Sequence, residues 1–223
     1  GVLTTNTIEQ AIEAVTGEKA DLNASGRTDA GVHAIGQVAN FKTNSKIPIE
    51  KIPVALNTKL KKTIRIINAE EVEERFHSRL SCKRKTYRYV INNSEFSSAL
   101  YRNLECHIPQ KLDVEKMKEA AIYFEGEHDF KAFKASGTSS KSSVRTIYEA
   151  KVYKREDGRI CIELTGNGFL YNMVRIISGT LVEVGLGKIK PEEITKIINA
   201  GKRENAGKTL PPYGLFLVKV EYN

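Results

Sequence analysis

Val144-Arg145-Thr146-Ile147-Tyr148-Glu149-Ala150-Lys151-Val152-Tyr153-Lys154-Arg155, then Glu156-Asp157-Gly158, then Arg159-Ile160-Cys161-Ile162-Glu163-Leu164-Thr165, is the stretch that decides the fold class. Two runs rich in β-branched and aromatic residues flank an Asp-Gly pair. Its glycine accepts the backbone angles of a tight antiparallel turn, so residues 144–155 and 159–165 are read as a hairpin. Upstream, Lys83–Asn92 alternates and holds Thr86, Tyr87, Tyr89, Val90 and Ile91, a third strand. Leu112–Phe124 has the apolar stripe of an amphipathic helix. Downstream, Tyr171–Val184 and Pro191–Ala200 read as helices and Leu215–Tyr222 as a closing strand. Toward the N-terminus, Thr7-Ile8-Glu9-Gln10 has the form of a capping box with Thr7 at the N-cap. Ile8, Ala11, Ile12 and Val15 continue a helical stripe that Gly17 stops. A short strand over Ala20–Ala24, a strand over Gln37–Thr43, a helix over Pro48–Leu60 broken by Pro53, and a strand over Thr63–Glu70 follow. The expectation is an α+β protein with mainly antiparallel sheets. A division near residue 80 would give an N-terminal half, 1–80, and a C-terminal half, 81–223.

The chain has 223 residues, 40 % hydrophobic and 28 % charged, an ordinary globular composition that excludes a disordered chain. No apolar run approaches the ~20 residues of a membrane span. Gly1-Val2-Leu3-Thr4-Thr5 has neither the basic flank nor the apolar core of a signal peptide, so no leader is expected. Cys82, Cys106 and Cys161 are odd in number and widely spaced, which excludes a disulfide scaffold and suits a reducing cytoplasm. His33, His77, His107 and His128 lack metal-ligand spacing. Lys plus Arg is 35 against 27 for Asp plus Glu, a net charge of +8. Such a balance suits a polyanionic partner without naming one.

The densest chemistry lies in Gly26-Arg27-Thr28-Asp29-Ala30-Gly31-Val32-His33-Ala34. Two glycines five residues apart bracket a cation, a hydroxyl and a carboxylate. Two readings are open. In one, Arg27 and Asp29 neutralise each other while Thr28 and Asp29 bond their own backbone. In the other, these groups converge on a ligand. Charge gathers in residues 79–88, where Arg79, Lys83, Arg84, Lys85 and Arg88 sit with no acid and with interleaved tyrosines, a pattern that suits a groove tracking phosphates. A second acid-free stretch, Phe130–Tyr148, carries Lys131, Lys134, Lys141 and Arg145, and its centre, Ser136–Ser140, reads as a mobile loop.

The string Ala24-Ser25-Gly26-Arg27-Thr28-Asp29-Ala30-Gly31-Val32-His33-Ala34 resembles the signature of the TruA family of tRNA pseudouridine synthases. The likeness continues, in order, through Gly36-Gln37-Val38-Ala39-Asn40-Phe41 and Arg75-Phe76-His77-Ser78-Arg79, then Lys83-Arg84-Lys85-Thr86-Tyr87-Arg88-Tyr89. Gly126-Glu127-His128-Asp129-Phe130, Asn172-Met173-Val174-Arg175, Gly179-Thr180-Leu181 and Gly214-Leu215 complete it. The resemblance implies the pseudouridine synthase fold, two related α/β halves joined across a basic cleft, and a homodimer with one RNA touching both subunits. It implies isomerisation of uridine in the tRNA anticodon arm, without metal or organic cofactor. It makes Asp29 the catalytic carboxylate, has Arg27 help displace the target base, stacks Tyr87 on uracil and pairs Arg175 with the aspartate. Family members usually open with a strand, an Asp-Gly turn and a Gly-Trp-Gln segment. This chain opens near the first helix and has no Trp, so a strand that would pair near the Asp29 loop is expected to be missing. An RNA-binding or tRNA-folding module without catalysis is the alternative for such a form.

The chemistry suits these residue types. The base must leave the stack before it can turn, at a cost of a few kcal/mol, and a long forked cation such as Arg27 can take the vacated space. A carboxylate can attack the sugar or remove a proton from it, and must be ionised for either. Burial opposes that ionisation and a paired guanidinium favours it, the role open to Arg175. The detached base needs an aromatic platform, which Tyr87 can supply at about 1–3 kcal/mol of stacking. Tyr89 is read as a sheet residue, and Phe169 either as pocket wall or as core.

Overall fold

The computed structural model describes residues 2–137 and 141–223, with Val2 and Leu3 as backbone only. The described chain divides into two compact units: Gly1–Asp29 with Gln37–Cys82, and Ala30–Gly36 with Lys83–Asn223. The segment 30–36, placed by sequence in the N-terminal half, belongs to the second unit.

In the first unit, helix α1 spans Val2–Thr16. It begins five residues before the expected cap, so Thr7 lies inside it; nothing in 2–6 breaks a helix, and the capping pattern was coincidental. Gly17, at φ +76°, ends it. Strands β1 (Asn23–Ala24) and β3 (Ala39–Asn40) pair antiparallel, a shorter ladder than the expected 20–24 and 37–43. A 3₁₀ turn at Ile49–Lys51 leads into α2, Ile52–Asn57. Ala11, Ile12, Leu22, Ile52, Leu56 and Leu60 form the core. The strand expected over Thr63–Glu70 is absent: Thr63 closes a turn, with the Ile64 N–H donating to the Lys61 carbonyl at 3.0 Å, and residues 64–70 pair with no strand. The Asn57 side chain takes the place of a partner, accepting from the Ile66 N–H at 2.9 Å and donating to the Ile66 carbonyl at 2.8 Å. Ile64 and Ile66 pack on the core from this fixed segment.

In the second unit, strands β2 (His33–Ala34), β4 (Arg84–Asn92), β5 (Cys106–His107), β6 (Gly126–Asp129), β7 (Val144–Lys154), β8 (Ile160–Gly166) and β9 (Leu215–Glu221) form one sheet in the order β2-β9-β4-β8-β7-β6, with β5 alongside β4. Pairing is antiparallel except β2 with β9 and β4 with β5. The hairpin β7–β8 turns at Gly158, φ +83°, as the Asp-Gly pair requires. Helix α3 (Val114–Ile122) is capped by the Asp113 carboxylate, which accepts from the Lys116 N–H at 3.1 Å. Helix α4 (Met173–Gly185) is buried almost all round, which its continuous apolar sequence requires. Helix α5 (Glu193–Ala200) ends at Gly201. Tyr89, Ile91, Met117, Phe124, Phe133, Ile162, Leu164, Ile176 and Leu181 are central to a core between the sheet and α3 and α4. Among the described residues, no helix is long and apolar enough to cross a membrane.

Candidate active site

The Asp29 loop is held from both ends. On its N-terminal side, Ser25 is fully buried; its N–H donates to the Val38 carbonyl at 2.8 Å and its hydroxyl donates to the Gln37 Oε1. Gln37 Nε2 donates to the Gly26 carbonyl at 3.0 Å. Below this, the Ser78 hydroxyl donates to the Asn23 carbonyl, and its N–H donates to Asn40 Oδ1 at 2.8 Å. Gln37 and Ser78 thus brace the loop, roles that their residue types alone did not disclose. On its C-terminal side, the chain enters the second unit at Ala30. Gly31 takes φ +85°, conformationally open to glycine and rarely to others. His33 stacks on Phe216 with centroids 4.9 Å apart and bonds the Asn103 carbonyl at 2.7 Å. The Ile35 N–H donates to Leu217 O at 2.8 Å.

Between these anchors stand Arg27, exposed, and Thr28 and Asp29, each half-buried. Among the described residues, Asp29 accepts no hydrogen bond and joins no ion pair, and Arg27 and Thr28 have no side-chain partner. The mutual neutralisation of Arg27 and Asp29 is therefore not what holds the loop. A carboxylate on an anchored loop with no partner among the described residues is open to a ligand.

In the second unit, Tyr87 lies on β4 with Phe169 against its edge, centroids 5.2 Å apart and planes at 81°. Both rings are partly buried on the core, leaving Tyr87 part-exposed. Tyr89 faces the same side but is fully buried, and its hydroxyl donates to the Pro211 carbonyl at 2.7 Å. Burial pushes its phenol far above the ordinary range, with the Arg175 charge acting in the opposite sense. Arg175, on α4, donates from Nε to the Leu210 carbonyl at 2.6 Å and from Nη1 to Asn172 Oδ1 at 2.7 Å. Helix α4 and the chain at 206–210 approach closely: a Cβ on Gly179 would stand 1.9 Å from the Lys208 carbonyl oxygen, and the Gly207 N–H donates to Thr180 Oγ1 at 2.8 Å. The Gly179-Thr180 pair is thus what lets Leu210 meet Arg175.

The cations of residues 79–88 are not all equivalent. Arg79 and Lys83 are exposed, and the Arg84 guanidinium lies 4.7 Å from the Tyr148 ring centroid. The register of β4 with β8 puts Arg84 and Arg88 on one face and Lys85 with Tyr87 on the other. Arg88 is answered by Glu163 at 2.9 Å, which also accepts from the Tyr153 hydroxyl at 3.2 Å. The loop expected over Ser136–Ser140 falls partly on 138–140, outside the described residues.

A sequence model of the family described as tRNA pseudouridine synthase matches residues 3–80 and 120–223. A protein named tRNA pseudouridine synthase A from Acetivibrio thermocellus is 54 % identical over 217 residues, spanning 97 % of this chain and 88 % of that protein. Proteins of the same name from Thermoanaerobacter sp. (strain X514) and Clostridium botulinum are 53 % and 51 % identical over 215 residues, spanning 96 % of this chain and 88 % of each. With the family matched over most of its length and in both units, the chain belongs to the tRNA pseudouridine synthases, in the TruA family.

Proposed function

We propose that this synthase acts on uridine in the anticodon stem-loop of tRNA, with the Asp29 carboxylate as its reactive group. The observation that carries this reading is the partnerless, half-buried carboxylate on a loop braced from both sides. In the reaction the bond from C1′ to N1 breaks, the base turns, C1′ joins C5, the C5 proton leaves and N1 gains a proton. Asp29 either attacks C1′ or takes a proton from the sugar. Arg27 takes the space the flipped nucleotide leaves, Tyr87 backed by Phe169 stacks on the uracil, and Arg175 supplies the counter-charge to Asp29 once tRNA is bound. Arg79, Lys83, Arg84 and Lys85 bind phosphates; Arg88 reaches one only by leaving Glu163. Two copies of the chain share one RNA, in a reducing cytoplasm, and no metal or organic cofactor takes part.

The names of the relatives are all names of synthases, which favours this reading over an RNA-folding module. The test is to incubate the chain with unmodified tRNA transcript and map pseudouridine along it. Pseudouridine confined to the anticodon arm is the expected result; pseudouridine elsewhere, or none with tRNA bound, contradicts it. Light scattering at micromolar concentration is expected to give twice the 24.9 kDa chain mass.

A further inference from the structure

We infer that Asn172 is a positioning residue: it aims the Arg175 guanidinium for the reaction, and takes a left-handed backbone to do so. This deepens the proposed function and rests on Arg175 serving the reacting carboxylate.

Asn172 stands at φ 59° and ψ 9°, and among the described residues it is the one non-glycine residue with positive φ. Asparagine tolerates that conformation better than most, but it is still strained there, and such outliers persist where something over-determines them. The residue sits at the N-cap of α4, where an asparagine oxygen would ordinarily accept the backbone N–H of N2 or N3. Here it makes no such bond. Its Oδ1 instead accepts from Nη1 of Arg175, the N3 residue, at 2.7 Å. Its carbonyl still accepts the Ile176 N–H at 2.9 Å, so the helix keeps its first backbone bond. The side chain has been turned from capping the helix to holding the guanidinium.

The hold is specific. The guanidinium is planar, so fixing two of its nitrogens fixes its plane and direction. Nε is fixed by the Leu210 carbonyl at 2.6 Å and Nη1 by Asn172. Leu210 is itself placed: its N–H donates to the Arg175 carbonyl at 3.3 Å, and the next carbonyl, of Pro211, accepts from the buried Tyr89 hydroxyl. Nη2 has no partner among the described residues. One edge of a rigidly held cation is therefore left to an oxyanion. The ordering of a long side chain has been completed in the free protein, which lowers the entropic cost of using it in the transition state.

The experiment uses the full chain and tRNA transcript tritiated at uridine C5, with single-turnover release measured from pH 5 to 9. Asn172→Gly keeps the backbone conformation and deletes the acceptor. It is expected to melt within a few degrees of wild type and to bind tRNA within about 2-fold. Its rate at saturation falls about 10–100-fold at every pH in that range. Asn172→Asp restores an acceptor on a residue that also tolerates this backbone, and recovers rate above Asn172→Gly. Combined with Arg175→Lys, Asn172→Gly adds no further loss, because both act through one guanidinium. A rate for Asn172→Gly within about 2-fold of wild type, no recovery with Asp, or a loss that multiplies with Arg175→Lys overturns the inference. Impaired Arg175→Lys beside normal Asn172→Gly removes this inference alone. Wild-type activity in Arg175→Lys removes the underlying reading of Arg175 as well.

Discussion

At the scale of single residues, polar groups withdrawn from water are either answered locally or kept for a substrate, and the two kinds are distinguishable. Glu105 is the first kind. Its side chain is 4 % exposed and is held by Arg159 Nε at 2.8 Å and Asn92 Nδ2 at 2.8 Å, while Arg159 also lies over Tyr101. Arg159→Ala strands this carboxylate and is expected to cost about 3 kcal/mol in urea unfolding; adding Glu105→Gln should recover part of the loss. Tyr153 is similar. Burial, helped by Cys161 and Glu163, pushes its phenol from the ordinary 10.0 to about 12. The unfolded chain then loses this proton near pH 10 while the folded chain keeps it until about 12, so the contribution is full below pH 10 and is lost as pH rises toward 12. Wild type should lose more unfolding free energy between pH 9 and 11 than Tyr153→Phe does. Asp29 differs from both in having no partner among the described residues, and under the proposed function it is the group kept for the substrate.

At the scale of elements, what could be read in the sequence was what local chemistry decides. Asp157-Gly158 turned the β7–β8 hairpin, and Lys83–Asn92 became β4 within a residue, because turn angles and alternation need no distant partner. The strand expected at 63–70 failed because its hydrogen-bonding partner is the Asn57 amide rather than a neighbouring strand. The site divides the same way. Asp29 and Arg27 stood out because their loop is dense in unusual residues. Gln37, Ser78 and Asn172 did not, since each acts through a tertiary contact or a backbone angle that composition does not encode. Arg88 looked like a phosphate ligand because Glu163, its partner, lies 75 residues away. The approach of α4 to 206–210 gives the clearest element-level test. Gly179→Ala drives a methyl into the Lys208 carbonyl, and should cost about 3 kcal/mol in thermal or urea unfolding while displacing Leu210 from Arg175.

At the scale of the whole molecule, a net charge of +8 serves a polyanionic substrate, and exposed Arg79 and Lys83 lie outside the ion pairs that hold Arg88 and Arg159. Affinity for tRNA should fall with salt, and Arg79→Ala with Lys83→Ala should reduce the log–log slope by about 1–2. The most direct test is of the carboxylate. With tRNA tritiated at uridine C5, wild type should release label as pseudouridine forms. Asp29→Asn, of nearly the same shape and without the charge, should bind tRNA within about 2-fold and release none above background. Release by Asp29→Asn at the wild-type rate would contradict the account.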